Sequence, residues 1–509
     1  MPLTKWQPPG LRHEVAEDGR VTWLELFFDL VYVAALIQLG DRLSSDISWA
    51  GTAAFVGAFV VLWWTWTGAT AFINRYAVDD VVHRLLTFVQ MFAVGNIAVL
   101  AATTPENWQR WLPVAYLGSR IPLLIMYLRA RSRVPQARDQ IDHFLRFFGA
   151  ATVLWAASVV VPGRAAIVVW AVALGIEFIA PVLGVRRPSD PRNNTPEIRA
   201  AYAEHFQERY ALFTIIVLGE TFVKTLTEVS VIGLSPTTHL FAGLGFLILF
   251  ALWWTYFDDV ADAHIRSTSV LSSRPPTNNL IWVYTHLPLA LSITAFGVAA
   301  KKIVGVEAVA DDFKDNYTLL LAGALIVILL SVAVLDLVTV STHFAIEAPE
   351  RVGPRVVAAV LIAPVAALLI TGTITALVGI GLIAAIVVGQ IGVEVVAAQK
   401  SEYRLTREVE SQISDLAGTC EHLEAAKARD EIPPAICPHC VEHGVDPVQL
   451  RMCLTCGHVG CCDDSVGAHA TEHFQETGHP VMISIEAGAT WAYCYEHEVT
   501  DPDWSMTHS

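Results

Sequence analysis

The apolar positions of this chain fall in runs long enough to span a membrane, divided by short polar breaks. Six cover about 22–40, 49–73, 85–104, 111–128, 143–162 and 165–185. After a longer break, six more cover about 210–228, 238–257, 279–300, 317–340, 355–376 and 378–398. At about 1.5 Å of rise per residue, each run crosses a hydrocarbon core of roughly 30 Å as a helix. The pattern predicts an all-α polytopic membrane protein of twelve transmembrane helices over residues 21–399, preceded by a polar tail over 1–20. Prolines within or at the ends of the runs are tolerated in membrane helices. Residues 400–417 keep helical spacing but turn polar, and read as a helical linker to a Cys- and His-rich region over 418–509.

The two sets of six runs share short words. Leu62-Trp-Trp-Thr65 returns as Leu252-Trp-Trp-Thr255, and Leu174-Gly-Ile-Glu-Phe-Ile-Ala180 as Ile391-Gly-Val-Glu-Val-Val-Ala397, while His83 and His286 open the third and ninth runs. Two six-helix repeats of one orientation are expected, related by an axis along the membrane normal. With the N-terminus inside, inward segments hold nineteen arginines and lysines against seven outside, so both termini are predicted to be cytoplasmic. The first run is of full span length without a small-residue cleavage site, and is read as a retained helix.

Charge inside these runs is costly and points to a protein interior or a wet cavity. Glu25 and Asp29 lie four apart, on one helical face of the first run. Arg120 sits at least nine residues from either end of the fourth, and Glu177 and Glu220 lie deep in the sixth and seventh. These five are the candidate intramembrane polar site, either a structural ion-pair network or a relay or substrate site. Arg120 is expected to reach a carboxylate on a neighbouring helix, with depth favouring Glu177 or Glu220. Asp336 is a further deep carboxylate in the tenth run. Asp258, Asp259 and Asp262 read as a solvated helix end, and Trp63, Trp64, Trp253 and Trp254 as packing.

Composition agrees with a membrane protein: 54% of the 509 residues are hydrophobic and 16% charged. The net charge of −16 is concentrated at one end, because residues 400–509 hold six basic against nineteen acidic side chains. An acidic tail argues against nucleic acid or anionic lipid as its partner, and no nucleic acid is expected. All eight cysteines lie between Cys420 and Cys494, which is metal-site usage rather than a disulfide framework.

Trp23-Leu-Glu-Leu-Phe-Phe-Asp-Leu-Val-Tyr32, Glu208-Arg-Tyr followed by Ile216-Val-Leu-Gly-Glu220, and Trp253-Trp-Thr-Tyr-Phe-Asp258 resemble the bacterial low-temperature-requirement protein A (LtrA) family over roughly residues 15–400. The resemblance implies a multi-spanning protein of the bacterial plasma membrane and supplies no reaction or substrate.

In the tail, Cys437-x₂-Cys440 and Cys453-x₂-Cys456 with histidines downstream have zinc spacing, because Zn²⁺ takes four sulfur or nitrogen ligands in a tetrahedron. Cys453-Leu-Thr-Cys-Gly-His-Val-Gly-Cys461, His469-Ala-Thr-Glu-His473 and Thr477-Gly-His-Pro480 resemble the UBP-type zinc finger, so a small cytoplasmic α+β domain is expected. The resemblance implies interleaved ligands: Cys437, Cys440, Cys461 and His469 for one zinc, and Cys453, Cys456, His473 and His479 for a second. Cys420, His422 and Cys494 would hold a third, with His497 where the family often has a further cysteine. Cys462 competes with Cys461. His439, His443 and His458 remain ordinary polar residues. Trp491 and Tyr493 match the family's peptide-binding aromatics. The position of its carboxylate-binding arginine holds Asp463, with Asp464 beside it, which repels a terminal carboxylate and argues against ubiquitin itself. Arg451 is the replacement the module offers.

No nucleophile and base pair can be read from the spans, and an enzyme is not expected. The expected function is transporter-like, moving an unassigned small solute or ion across the lipid bilayer, with the zinc module regulating it or binding a protein or peptide. The alternative is a membrane-anchored stress or ligand sensor that signals through the zinc finger.

Overall fold

The computed structural model describes residues 7–11, 21–101, 103, 105–185, 196–233, 235–258, 264–265, 277–305, 315–340, 348–416, 420–427, 429, 433–486, 491–501 and 504. Asp259 and Asp262 lie outside them, as do several loop arginines used in the orientation count (Arg12, Arg20, Arg186, Arg187, Arg192, Arg266 and Arg274). The chain divides into two compact units, Met1–Ala398 and Gln399–Ser509.

In the first unit every apolar run falls on a helix. These are α1 (Trp23–Ser45), α2 (Trp49–Arg75), α3 (Val81–Ala101), α4 (Pro105–Arg133), α5 (Arg138–Ser158) and α6 (Arg164–Val185). They are followed by α7 (Pro196–Ile232), α8 (Pro236–Tyr256), α9 (Thr277–Val304), α10 (Asp315–Val338), α11 (Ala348–Ile370) and α12 (Ala376–Leu416). Ten of the described helices are long and apolar enough to cross a membrane. α5 and α7 fall outside that group. Arg138, Asp139, Asp142 and Arg146 stud the first, and the opening turns of the second carry Glu197, Arg199, Glu204, Glu208 and Arg209.

Polar side chains start several helices. Thr22 and Glu25 close a reciprocal capping box on α1: the Thr22 amide donates to Glu25 Oε2 at 2.9 Å and the Glu25 amide to Thr22 Oγ1 at 3.3 Å. Ser48 and Ser235 cap α2 and α8 through the Gly51 and Thr238 amides.

Packing follows one order twice. α1 packs on α2 and α3, α3 on α4 and α4 on α5; likewise α7 packs on α8 and α9, α9 on α10 and α10 on α11. The sets meet where α1 contacts α7 and α9 and where α2 contacts α7, around a core that includes Phe28, Phe59, Trp66, Ile248 and Phe296. A short strand β1 (Gln7–Leu11) pairs antiparallel with β2 (Tyr76–Asp79), burying Leu11. The two-residue strands β3 (His264–Ile265) and β4 (Thr339–Val340) also pair.

The second unit holds α13 (Glu421–Ala425), α14 (Pro438–His443), α15 (His469–Thr477) and an antiparallel sheet of five strands. The strands are β5 (Leu450–Cys453), β6 (Val459–Cys461), β7 (Val481–Ser484), β8 (Ala492–Cys494) and β9 (Val499–Asp501), in the order β6-β5-β7-β8-β9. Met452, Val481, Ile483, Ala492 and Trp504 form its core.

Candidate functional site

The five intramembrane candidates distribute over three centres, each with partners of its own. At the first, Arg120 of α4 and Glu177 of α6 form an ion pair between side chains 1% and 0% exposed. Glu177 Oε2 also accepts from Tyr116 Oη at 2.7 Å and Trp64 Nε1 at 2.8 Å, and Arg120 Nε donates to Tyr116 Oη at 2.9 Å. The guanidinium lies over the Tyr116 and Phe148 rings at 5.2 and 5.3 Å. Gly68 makes the room, since a Cβ there would meet Arg120 Nη1 at 2.6 Å. Arg120 Nη1 and Glu177 Oε1 have no hydrogen-bond partner among the described residues, so the centre keeps one donor and one acceptor uncommitted. Trp64, read as packing, is therefore also a ligand of Glu177.

At the second centre Arg209 of α7 grips Asp29 of α1 with both arms of its guanidinium, Nε to Oδ2 at 3.0 Å and Nη2 to Oδ1 at 2.6 Å. Trp66 Nε1 donates to the same Oδ1 at 2.7 Å. Glu25 lies one turn away, 3.7 Å from Arg209 Nη1 and 3.4 Å from His205 Nε2. At the third, Glu220 pairs with Lys224 one turn along α7, at 2.9 Å, and not with Arg120. Nearness along one helix decides that partner.

A fourth cluster was missed as a site. Arg355 of α11 forms an ion pair with Asp336 of α10 and lies 3.0 Å from Glu394 of α12. Beside it, Gln390 Nε2 donates to Thr255 Oγ1 of α8 at 2.8 Å. Four cations entered the orientation count as loop residues, Arg209, Arg351, Arg355 and Lys224, yet all four are buried in helices. A charge beside an apolar run looks like a flank until its burial is known. Without them the asymmetry is sixteen against six. The repeated Gly-x-Glu word, which places Glu394 in line with Glu177, was the available signal for the fourth cluster.

The tail brings its cysteines and histidines into three groups of four, with the donor atoms of each group within 4.8 Å of one another. One is Cys437, Cys440, Cys461 and His469; the second Cys453, Cys456, His473 and His479; the third Cys420, His422, Cys494 and His497. α15 supplies two of the groups, because His469 and His473 lie one turn apart on one face. His469 Nδ1 is 3.4, 3.4 and 3.2 Å from the sulfurs of Cys437, Cys440 and Cys461. Cys456 lies 3.3 Å from His473 Nε2, and Cys420 lies 3.1 Å from His497 Nδ1. A tetrahedral zinc holds its sulfur and nitrogen ligands about 3.5 Å apart, so the donor sets fit that ion. Burial, with the Cys437 and Cys461 sulfurs beside it, pushes the Cys440 thiol up to about 12. Cys461 lies in its group, while the Cys462 sulfur turns to Ser465 Oγ at 3.5 Å.

Around the aromatic positions, the Arg451 guanidinium lies over the Trp491 ring at 4.4 Å. Tyr493 meets Tyr495 edge-on at 4.9 Å, and Tyr495 stacks on Phe474. Asp463 accepts from Thr471 Oγ1. The other arginine of this region, Arg429, is engaged on the carbonyl of Thr455 at 3.0 Å.

The family model for bacterial low temperature requirement A protein (LtrA) matches residues 20–391. This chain belongs to the LtrA family. Its LtrA region continues into a segment, 437–504, that matches the zinc finger found in ubiquitin hydrolases and other proteins. An uncharacterised protein of Rhizobium meliloti (strain 1021) is 30% identical over 302 residues, 56% of this chain and 71% of its own. Ubiquitin carboxyl-terminal hydrolase 45 of Mus musculus is 30% identical over 95 residues, 15% of this chain and 11% of the hydrolase. BRCA1-associated protein of Homo sapiens is 27% identical over 107 residues, covering 19% of this chain and 18% of that protein. A solution NMR structure of a Rhodopseudomonas palustris protein is 42% identical over 17% of this chain and 84% of its own, with a TM-score of 0.16. In this LtrA protein, then, a membrane domain and a UBP-type zinc finger share one chain.

Proposed function

We propose that this LtrA protein is a secondary-transporter-like protein of the bacterial plasma membrane, with twelve spans in two six-helix repeats and both termini cytoplasmic. The helix packing, which runs in the same order through α1–α5 and α7–α11, supports the repeat. The remaining asymmetry of loop cations supports the orientation. The observation that carries the transport reading is the buried pair of Asp29 and Arg209, which ties the first helix of one half to the first helix of the other. Parallel-repeat transporters place their sites at that seam, and ionisable groups there are costly unless they serve a pathway or a lock.

The decisive experiment is reconstitution. Full-length protein in sealed liposomes with an entrapped pH dye is offered a panel of inorganic cations and small solutes. Movement of one of them, alone or coupled to protons, and its loss in Asp29→Asn or Arg209→Met, is the expected result. Liposomes that stay tight across the panel would remove the transport reading.

The tail is proposed to bind three zinc ions and to take a protein or peptide partner. Asp463 opposes a terminal carboxylate, whereas Arg451 over Trp491 offers a positive group beside the aromatic positions. Titration of the full-length protein with ubiquitin and with a Gly-Gly peptide tests this, and micromolar binding of ubiquitin would show that Asp463 does not exclude it.

A further inference from the structure

A small chamber lies where α1, α7 and α9 meet, beside the middle of α1 and the C-terminal halves of α7 and α9. Val33 and Leu36 line it on the apolar side, and Glu220, Thr221, Lys224 and Thr294 on the polar side. Its volume is about 10 Å³, room for one occupant the size of a water molecule. The Lys224 ammonium lies 2.9 Å from Glu220 Oε1, 3.4 Å from the Ile37 carbonyl and 3.7 Å from Asp41 Oδ1. Asp41, near the end of α1, is half exposed, so the buried pair has a more exposed carboxylate beside it on that side. The Thr221 hydroxyl, 2% exposed and lining the chamber, has no hydrogen-bond partner among the described residues. Gly297 of α9 faces it so closely that a Cβ there would stand 2.6 Å from Oγ1.

Two carboxylates, a helix carbonyl and an idle hydroxyl are the hard oxygen ligands that an inorganic cation selects. Here a tethered ammonium occupies the place of that cation. No other titratable group lines the chamber among the described residues; α9 contributes only Thr294 and Gly297, and the next charged pair is Glu228 with Lys301, 3.6 Å apart. We propose that the chamber is a monovalent-cation exchange site, where a cation of sodium's size and the proton of Lys224 alternate beside Glu220. The balance is simple: the ammonium gives its proton to solvent water as the cation enters, and the reverse step restores it, with no change of net charge. Binding of the cation stands alone; its passage across the membrane rests on the transport reading above.

Purified full-length protein in detergent supplies the test. Its thermal midpoint is measured in sodium chloride and in choline chloride at equal ionic strength, from neutral to alkaline pH. Sodium is expected to raise the midpoint, with an apparent affinity that rises ~tenfold per pH unit, as one-for-one exchange against a proton requires. Glu220→Gln should lose the sodium response, and Lys224→Met should keep it without the pH dependence. A wild-type midpoint indifferent to sodium, a sodium response that does not change with pH, or an unchanged response in Glu220→Gln overturns the site. Should Lys224→Met fail to fold, the wild-type pH dependence still decides. Sodium binding without flux of any solute in liposomes removes the transport reading and leaves the site standing. Solute flux without sodium binding does the opposite.

Discussion

Arg120 lies in the middle of a membrane helix, too far from either end to lift its guanidinium into water, and it is held by Glu177, Tyr116 and two aromatic faces. Removing one partner of a buried pair leaves a bare charge and costs about 3–5 kcal/mol, whereas removing both is often close to neutral. Arg120→Met is therefore expected to lower the unfolding midpoint in detergent sharply, and Arg120→Met with Glu177→Leu to recover most of it. Arg120 Nη1 and Glu177 Oε1, without a hydrogen-bond partner among the described residues, give this centre a second reading, as a relay. A refolded double variant that has lost flux makes the pair functional; one that keeps flux makes it a structural lock.

At the scale of the element, α15 is nine residues long and bridges two of the metal groups. His469 and His473 point to different groups, so a zinc bound at each would hold one turn of the same helix. His473→Ala is expected to cost one zinc per chain and His469→Ala a different one, both by elemental analysis, while the group of Cys420 and Cys494 stays loaded. Because metal binding and folding are coupled in small modules, chelation should abolish the slow amide exchange of β5 and β7, and added zinc should restore it. Retained protection in chelator would show that the sheet stands without metal. In the membrane unit, the cap on α1 is open to the same kind of test. Thr22→Ala removes one half of the capping box and is expected to cost about 1 kcal/mol, read as a small drop in thermal midpoint.

The whole molecule makes two commitments that a single helix does not. Full occupancy of the three groups predicts three zinc ions per intact chain, and one or none by elemental analysis would refute the interleaved assignment. The loop cations predict a cytoplasmic C-terminus, so a fluorescent-protein fusion there should mature and an alkaline phosphatase fusion should stay inactive. The opposite pair of results would invert the topology and place the zinc domain outside.

The sequence by itself determined where the helices of the membrane unit run and which cysteines and histidines were candidates to meet. Span length sets a run of apolar residues that no soluble loop needs, and tetrahedral coordination sets a spacing of cysteines and histidines that chance rarely makes. Partners were another matter. Arg120 alone suggested a carboxylate, yet Glu177 and Glu220 were equal candidates by depth, and only the tertiary structure, which pairs Arg120 with Glu177 and Glu220 with Lys224, separated them. Arg209, Arg355 and Lys224 read as flanking charge because position along a helix says nothing about which neighbour covers it. Glu394 stood in a repeated word without a stated task until α10, α11 and α12 were brought together around Arg355. The choice between Cys461 and Cys462 had the same character: Cys461 ends β6 and Cys462 follows it, and the side on which α15 packs decides which sulfur meets His469. Local pattern is written in composition and period; which charges meet is decided by helices far apart in the chain.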